Sequence, residues 1–309
     1  MKLHAFQNID PKRKDRLKAM AAMVLVAISW ACLEMMGCYV PRDYTMIQIV
    51  WFRYLVHILF MIVLFGPRKG FNLVKTNRFF FQVGRSLLML AMPLLFVLSL
   101  KFMPLEQVLL ISWASSLMVL MLSKLMLRES ASLRLWLAGI TAWIGVWVMS
   151  GVRHPFSHWG LLAPVAMGFC FALYVIMTRM LRFESTCANL FHTAFWVLVF
   201  LTPVVFSSLK MPSKGALAVF AGIGICGYVV LYFLDKAMVL APPALTAPLV
   251  LTQPLWHGLM ISALFDKTPA MNFIIGGTVV ISISLYLFWI QFSQNHGLLK
   301  TDGFKGRHI

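Results

Sequence analysis

Acidic residues are scarce: ten Asp and Glu stand against 27 Lys and Arg in 309 residues, and all charged residues together make up only 12%. So small a stock of carboxylates leaves little with which to build a metal-dependent site. The chain also lacks a His-Glu-x-x-His pair, a Walker-type phosphate loop and a Gly-x-Ser-x-Gly elbow with supporting His and Asp. An enzyme or an ATP-driven pump is therefore not expected from this chain alone, and neither a metal nor a cofactor is implied. Five cysteines (Cys32, Cys38, Cys170, Cys187, Cys226) form no Cys-x-x-Cys pair and are odd in number. They read as small packing residues rather than a disulfide framework or a metal site.

What fills the chain instead is apolar. Hydrophobic residues make up 61%, more than a single water-soluble core of this length needs. They fall into ten runs, roughly 18–40, 45–65, 79–100, 104–126, 132–151, 159–180, 188–206, 215–238, 242–264 and 271–292. Each holds about 20 residues, enough at 1.5 Å per residue to cross a hydrocarbon core of ~30 Å. None alternates like an outer-membrane strand, and a backbone in lipid must bond to itself. The expected fold class is an all-α integral membrane protein of ten transmembrane helices.

The net charge of +17 does not point to nucleic acid, because the basic residues are scattered through connectors and form no aromatic-interleaved patch. Their distribution orients the chain. With the N-terminus in the cytoplasm, Lys2, Lys12, Arg13, Lys14, Arg16, Lys18, Arg68, Lys69, Lys75, Arg78, Lys124, Arg128, Arg134, Arg179, Arg182, Lys236, Lys300, Lys305 and Arg307 lie inside. Only Arg42, Lys101, Arg153, Lys210, Lys214 and Lys267 lie outside, so both termini are expected in the cytoplasm. The first apolar run is full length with no small-residue cleavage site, so it is expected to stay as a span.

Spans four and five recur in spans nine and ten. At an offset of 137 residues Glu129 falls on Asp266, Gly139 on Gly276 and Gly145 on Ser282, and Lys101-Phe-Met-Pro104 nearly superposes on Leu240-Ala-Pro-Pro243. Two five-span halves, 18–151 and 159–292, follow, flanked by a basic segment 1–17 and a tail 293–309. An odd number of spans per half inverts the second half, which is the plan of alternating-access transporters with a site at the repeat interface.

At this point the chain resembles the EamA-type, ten-helix branch of the drug/metabolite transporter superfamily. The resemblance is carried by Ala27-Ile28-Ser29-Trp30 in the first span, Trp51-Phe52-Arg53-Tyr54 in the second and Val83-Gly84-Arg85-Ser86 opening the third. Leu127-Arg128-Glu129 closing the fourth and Ala138-Gly139-Ile140 with Ile144-Gly145-Val146 in the fifth complete it. It implies a secondary transporter of the bacterial inner membrane, often an exporter of amino acids or related metabolites. Partners implied are a small-molecule substrate and membrane lipids, with a homodimer as the assembly to consider.

Polar residues inside spans are costly, so each asks for a partner, a cavity or a role. Glu34, about a turn and a half from the end of the first span, must be paired, solvated or protonated. Proton coupling or substrate contact stands beside a structural pair with Arg53 or Arg85, or exposure at the interface. Arg53 and His57 share a face one turn apart; the planar guanidinium suits a carboxylate or phosphate, against a structural or gating role. Arg85 has three readings: ligand contact, snorkelling to the headgroups, or pairing with Glu34.

In the ninth span Thr246, Gln253 and His257 line one face of a helix interrupted by Pro248 and Pro254, which suits either a binding site or a kinked packing helix. Ser112, Ser115 and Ser116 form the equivalent surface of the fourth. Trp30, Trp113, Trp256, Tyr228 and Tyr232, with Asp235, offer an aromatic cage for a cation or ring, although most aromatics in such a chain face lipid. Glu34, Arg53, Arg85, Gln253 and His257 are expected to border one central cavity. A flippase for a lipid or lipid-linked phosphate is the alternative, to be recognised by a lateral groove open to lipid and lined by Arg53 or Arg85.

Overall fold

A computed structural model describes residues 11–293, except 42, 153–159, 208 and 267, together with 299 and 300. The basic segment 1–17 is thus seen only from 11 onward, and of the tail 293–309 only 293, 299 and 300 are described. Lys2, Arg42, Arg153, Lys267, Lys305 and Arg307, used above for orientation, lie outside the described residues.

Among the described residues twelve α-helices follow one another: α1 Pro11–Gly37, α2 Met46–Lys69, α3 Phe79–Ser99, α4 Leu105–Trp113, α5 Ser115–Leu127 and α6 Leu133–Ser150, then α7 Leu162–Met180, α8 Thr186–Phe206, α9 Lys214–Leu240, α10 Pro243–Val250, α11 Gln253–Leu264 and α12 Met271–Ser293. Thr45, Ser132 and Ser213 cap α2, α6 and α9 through their hydroxyls, each accepting from a backbone N–H of the first turn. Ser130–Ala131 and Leu299–Lys300 form a two-residue antiparallel bridge. Among the described residues nine stretches are long and apolar enough to cross a membrane, Leu105–Leu127 counting as one across its break at Ala114. The protein is an all-α, multi-pass membrane protein.

The ninth expected span is not one continuous helix. Residues 242–264 are two short helices, because Pro254 has no N–H to offer the Val250 carbonyl. The chain tightens there instead, through Leu251 N–H to the Pro248 carbonyl (3.2 Å) and Thr252 N–H to that of Leu249 (3.1 Å), and α11 restarts with Pro254 in its first turn. The fourth span breaks without a proline. At Ala114 the N–H reaches back only three residues, to Ile111 (3.1 Å), close to Ser112, whose hydroxyl donates to the Val108 carbonyl (2.6 Å).

Helices from the first half of the chain pack mainly on helices from the second: α1 along α9, α6 along α12, α3 along α7, and α2 on α8 and α9. α6 and α12 approach each other backbone to backbone. A Cβ on Gly276 would stand 2.3 Å from the Gly145 carbonyl oxygen and 2.6 Å from the Met149 nitrogen, so only glycine lets these backbones meet. Large apolar side chains such as Val63, Phe80, Leu133 and Leu137 are left exposed, as a surface bathed in lipid requires.

The bundle has two ends. At the near face, where α1 begins, Arg13 Nε donates to the Gln291 carbonyl (3.0 Å) and Lys69 Nζ lies 3.1 Å from Cys187 Sγ. At the far face, where α1 ends, Ser213 N–H donates to Tyr44 Oη (3.1 Å) and Asn272 Nδ2 to the Met149 carbonyl (3.3 Å). Of the described Lys and Arg outside span interiors, only Lys101, Lys210 and Lys214 sit at the far face.

Candidate functional site

One cavity of about 460 Å³ occupies the middle of the bundle and reaches the far face. Its wall runs from Val250, Phe171 and Tyr54 at mid-depth to Gly37, Cys38, Met46 and Leu105 at the helix ends. Seven helices contribute: α1, α2, α3, α4, α7, α9 and α11, with Val250 from the end of α10 and Ser115 from the start of α5. The wall is apolar and soft, carrying Met46, Met89, Met92 and Met167, side chains that adapt to irregular ligands.

Its polar content is small and specific. Glu34 enters from α1, beside the side chains of Trp30 and Gln253, and its Oε2 has no hydrogen-bond partner among the described residues. Arg53 enters from α2 with its guanidinium over the Tyr54 ring, 5.2 Å from the centroid, and Nε unpartnered. No ion pair joins them: among the described residues no opposite charge comes within 4.0 Å of either. Trp113, the last residue of α4, donates Nε1 to Gln253 Oε1 (3.1 Å) at the start of α11. The two helix breaks therefore meet across the cavity, leaving the Gln253 amide Nε2 unpartnered. Trp30 stands edge-on to Phe171, centroids 5.6 Å apart, and His257, half-buried, completes the polar set.

Arg53 owes its position to α9. A Cβ on Gly227 would meet Arg53 Nε at 2.5 Å and Cγ at 3.2 Å. The missing side chain is the groove in which the arginine stem lies.

Four of the five residues expected to border one cavity do so: Glu34, Arg53, Gln253 and His257. The fifth, Arg85, does not. It is 1% exposed and bonded in the near half of the bundle to Thr178 Oγ1 (3.2 Å), Gln82 Oε1 (3.0 Å), Thr193 Oγ1 (2.8 Å) and the Asn189 carbonyl. Gln82 of its own helix and the polar groups of α7 and α8 take up both terminal nitrogens, leaving Nε unpartnered, so neither snorkelling nor the pair with Glu34 occurs. Trp30 and Trp113 line the cavity, whereas Ser116 is buried beside it with its hydroxyl unpartnered, Ser112 and Ser115 lining the wall in its place. His57 is fully buried, off the cavity wall, its ring edge-on to Tyr228 at 5.2 Å. Tyr228 and Tyr232 turn to a second cavity of about 380 Å³ near the near face, shared with Phe65, Lys69, Thr186 and Lys236. Asp235 is no cage acid: it is buried and accepts from Asn189 Nδ2 (2.9 Å). Phe171, Tyr54 and the methionines were invisible in sequence, being apolar or aromatic residues in apolar helices with nothing to mark the inward face.

Residues 17–151 match the model of the EamA-like transporter family. That stretch, somewhat under half of the chain, is similar to EamA-like transporters. S-adenosylmethionine uptake transporters of Rickettsia prowazekii (strain Madrid E) and Rickettsia felis (strain ATCC VR-1525 / URRWXCal2) are each 22% identical over 279 residues, 90% of this chain and 95% of theirs. That of Rickettsia bellii (strain RML369-C) is 22% identical over 269 residues, 87% of this chain and 92% of its own. A solved crystal structure superposes with a TM-score of 0.76 at 16% identity, covering 86% of this chain and 94% of that one. Transport rather than catalysis is where the family match and the relatives' names point.

Proposed function

We propose that this protein is an EamA-type secondary carrier for a small zwitterion of the amino-acid type that also bears an apolar or aromatic group. The observation that carries this reading is the coexistence of Glu34 and Arg53 on one cavity wall without contact between them. Two unpaired opposite charges in an apolar cavity are costly, and a ligand with an ammonium or sulfonium group and a carboxylate answers both. Trp30, Trp113 and Phe171 supply faces for a ring, and the methionines a compliant wall. The relatives' names make S-adenosylmethionine the first substrate to test and favour uptake over the export that the family resemblance suggested.

Alternating access is the mechanism this reading uses, with the two halves as an inverted repeat. The breaks at Ala114 and Leu251 stand 137 residues apart, as do Glu129 and Asp266, and the left-handed residues Arg128 (φ 55°) and Asp266 (φ 50°) close the two broken spans. Glu34 is assigned proton exchange during the cycle, and the near face is placed in the cytoplasm of a bacterial inner membrane. The flippase alternative is disfavoured, because the cavity is walled by seven helices and Arg85 lies elsewhere.

Proteoliposomes loaded with S-adenosylmethionine provide the test. Saturable counterflow of labelled substrate is expected, with Arg53→Gln raising KM roughly tenfold to a hundredfold, the worth of a charge-assisted hydrogen bond of ~1.5–3 kcal/mol. Glu34→Gln is expected to slow transport and flatten its pH dependence. Counterflow unchanged in both variants would sink the assignment.

A further inference from the structure

On the near face, opposite the cavity mouth, the ends of α5, α7 and α9 are tied together by one side chain. Arg179, in the last turn of α7, donates Nη1 to the carbonyls of Met238 and of Val239 (3.2 Å), which end α9, and Nη2 to Glu129 Oε1 (3.4 Å), just past α5. Arg182 Nη1 stands 4.0 Å from the same carboxylate oxygen. The end of α9 leaves carbonyls without helical partners at the negative end of its dipole, and one guanidinium answers these together with the carboxylate that follows α5. Glu129 is aimed by the turn before it. Arg128 is left-handed and the N–H of Glu129 returns to the Ser123 carbonyl (3.3 Å), a cap that reverses the chain toward α7.

The tie spans parts that are otherwise separable. α5 is the near-face half of one broken span and α10 that of the other; they pack on each other, and the breaks at Ala114 and Leu251–Thr252 disconnect them from the halves that carry the cavity's Trp113 and Gln253. Apart from this tie, α5 and the end of α9 share no polar contact among the described residues. Buried arginine with two kinds of acceptor gives the closed near face a definite geometry, and losing either partner leaves the other underbonded.

We infer that Arg179 is the latch that holds the near face closed while the cavity is open at the far face, and that its release lets the near-face half-helices swing at the two breaks. This rests on the carrier reading, but its test needs no substrate. In a background with the five native cysteines replaced by alanine, Ser112→Cys puts one thiol on the cavity wall. A membrane-impermeant methanethiosulfonate is applied from either side, to intact cells and to inverted vesicles.

With Arg179 present the thiol should react from the far-face side alone. In Arg179→Gln, reaction from that side should fall at least fivefold while reaction from the near-face side appears. Arg179→Lys, which keeps the charge toward Glu129 but lacks the fork, should lie between. If Arg179→Gln does not fold, Glu129→Gln should give the same shift, smaller. Far-face labelling within twofold of the parent, with none from the near face, would overturn the latch. A shift in labelling with no counterflow of S-adenosylmethionine would keep the latch and remove the carrier reading; unshifted labelling with normal counterflow does the reverse.

Discussion

Arg53 and Gly227 belong together although they lie on different helices. The arginine has no anionic partner among the described residues and its stem fills the space that the glycine leaves, so its direction is fixed by packing rather than by charge. Gly227→Ala places a Cβ 2.5 Å from Nε, and the guanidinium must turn away. The expected outcome is a rise in KM of about tenfold for a substrate with a carboxylate, with kcat within about twofold and no change for an analogue lacking the carboxylate; tenfold corresponds to ~1.4 kcal/mol. Parallel losses for both substrates would make Gly227 a packing residue only. The same residue-scale logic explains Arg85: its two terminal nitrogens are bonded to Gln82, Thr178, Asn189 and Thr193, which hold it in the near half of the bundle and off the cavity wall.

Among the elements, α6 and α12 depend on each other through Gly145 and Gly276. Backbone atoms cannot yield as a side-chain tip can, so Gly276→Ala forces the helices apart, at a cost of about 1–3 kcal/mol for overpacking. At Gly215, at the start of α9, an added Cβ would meet nothing within 4 Å; Gly215→Ala should be neutral or raise stability by up to ~1 kcal/mol through helix propensity. Thermal unfolding in detergent compares the two, and equal melting temperatures would contradict the close approach. The broken spans carry the other lesson of this scale. Pro254 made one break foreseeable from the residues alone, whereas the break at Ala114 has no proline to mark it.

For the whole molecule the basic residues set the expectation. Those described cluster at the near face, leaving Lys101, Lys210 and Lys214 at the far one, and from a bias of that kind the near face is expected in the cytoplasm. Reporter fusions after residues 155 and 309 check it: an exported reporter should be active at the first and a cytoplasmic reporter at the second. Exported activity at the C-terminal fusion would invert the bundle, and with it the side to which the cavity opens.

Composition and run length by themselves determined that the chain is helical, that it crosses a membrane many times and where nearly every span lies, because lipid imposes a length and a hydrogen-bonding rule that the residues must obey locally. Glu34, Arg53, Gln253 and His257 could be singled out for the same reason, since a polar group in an apolar run is conspicuous. Which of the conspicuous groups share a cavity was decided only by tertiary structure. Arg85 and Asp235 look as functional in sequence as Glu34, yet polar groups from α7 and α8, distant from Arg85 in sequence, and Asn189 of α8, distant from Asp235, reach them and supply their hydrogen bonds. Phe171, Tyr54 and the methionines reach the cavity only because helix rotation turns them inward, and no local pattern distinguishes an inward apolar residue from a lipid-facing one. Arg179 and Glu129 lie 50 residues apart, and their meeting depends on how α5, α7 and α9 end on a common face.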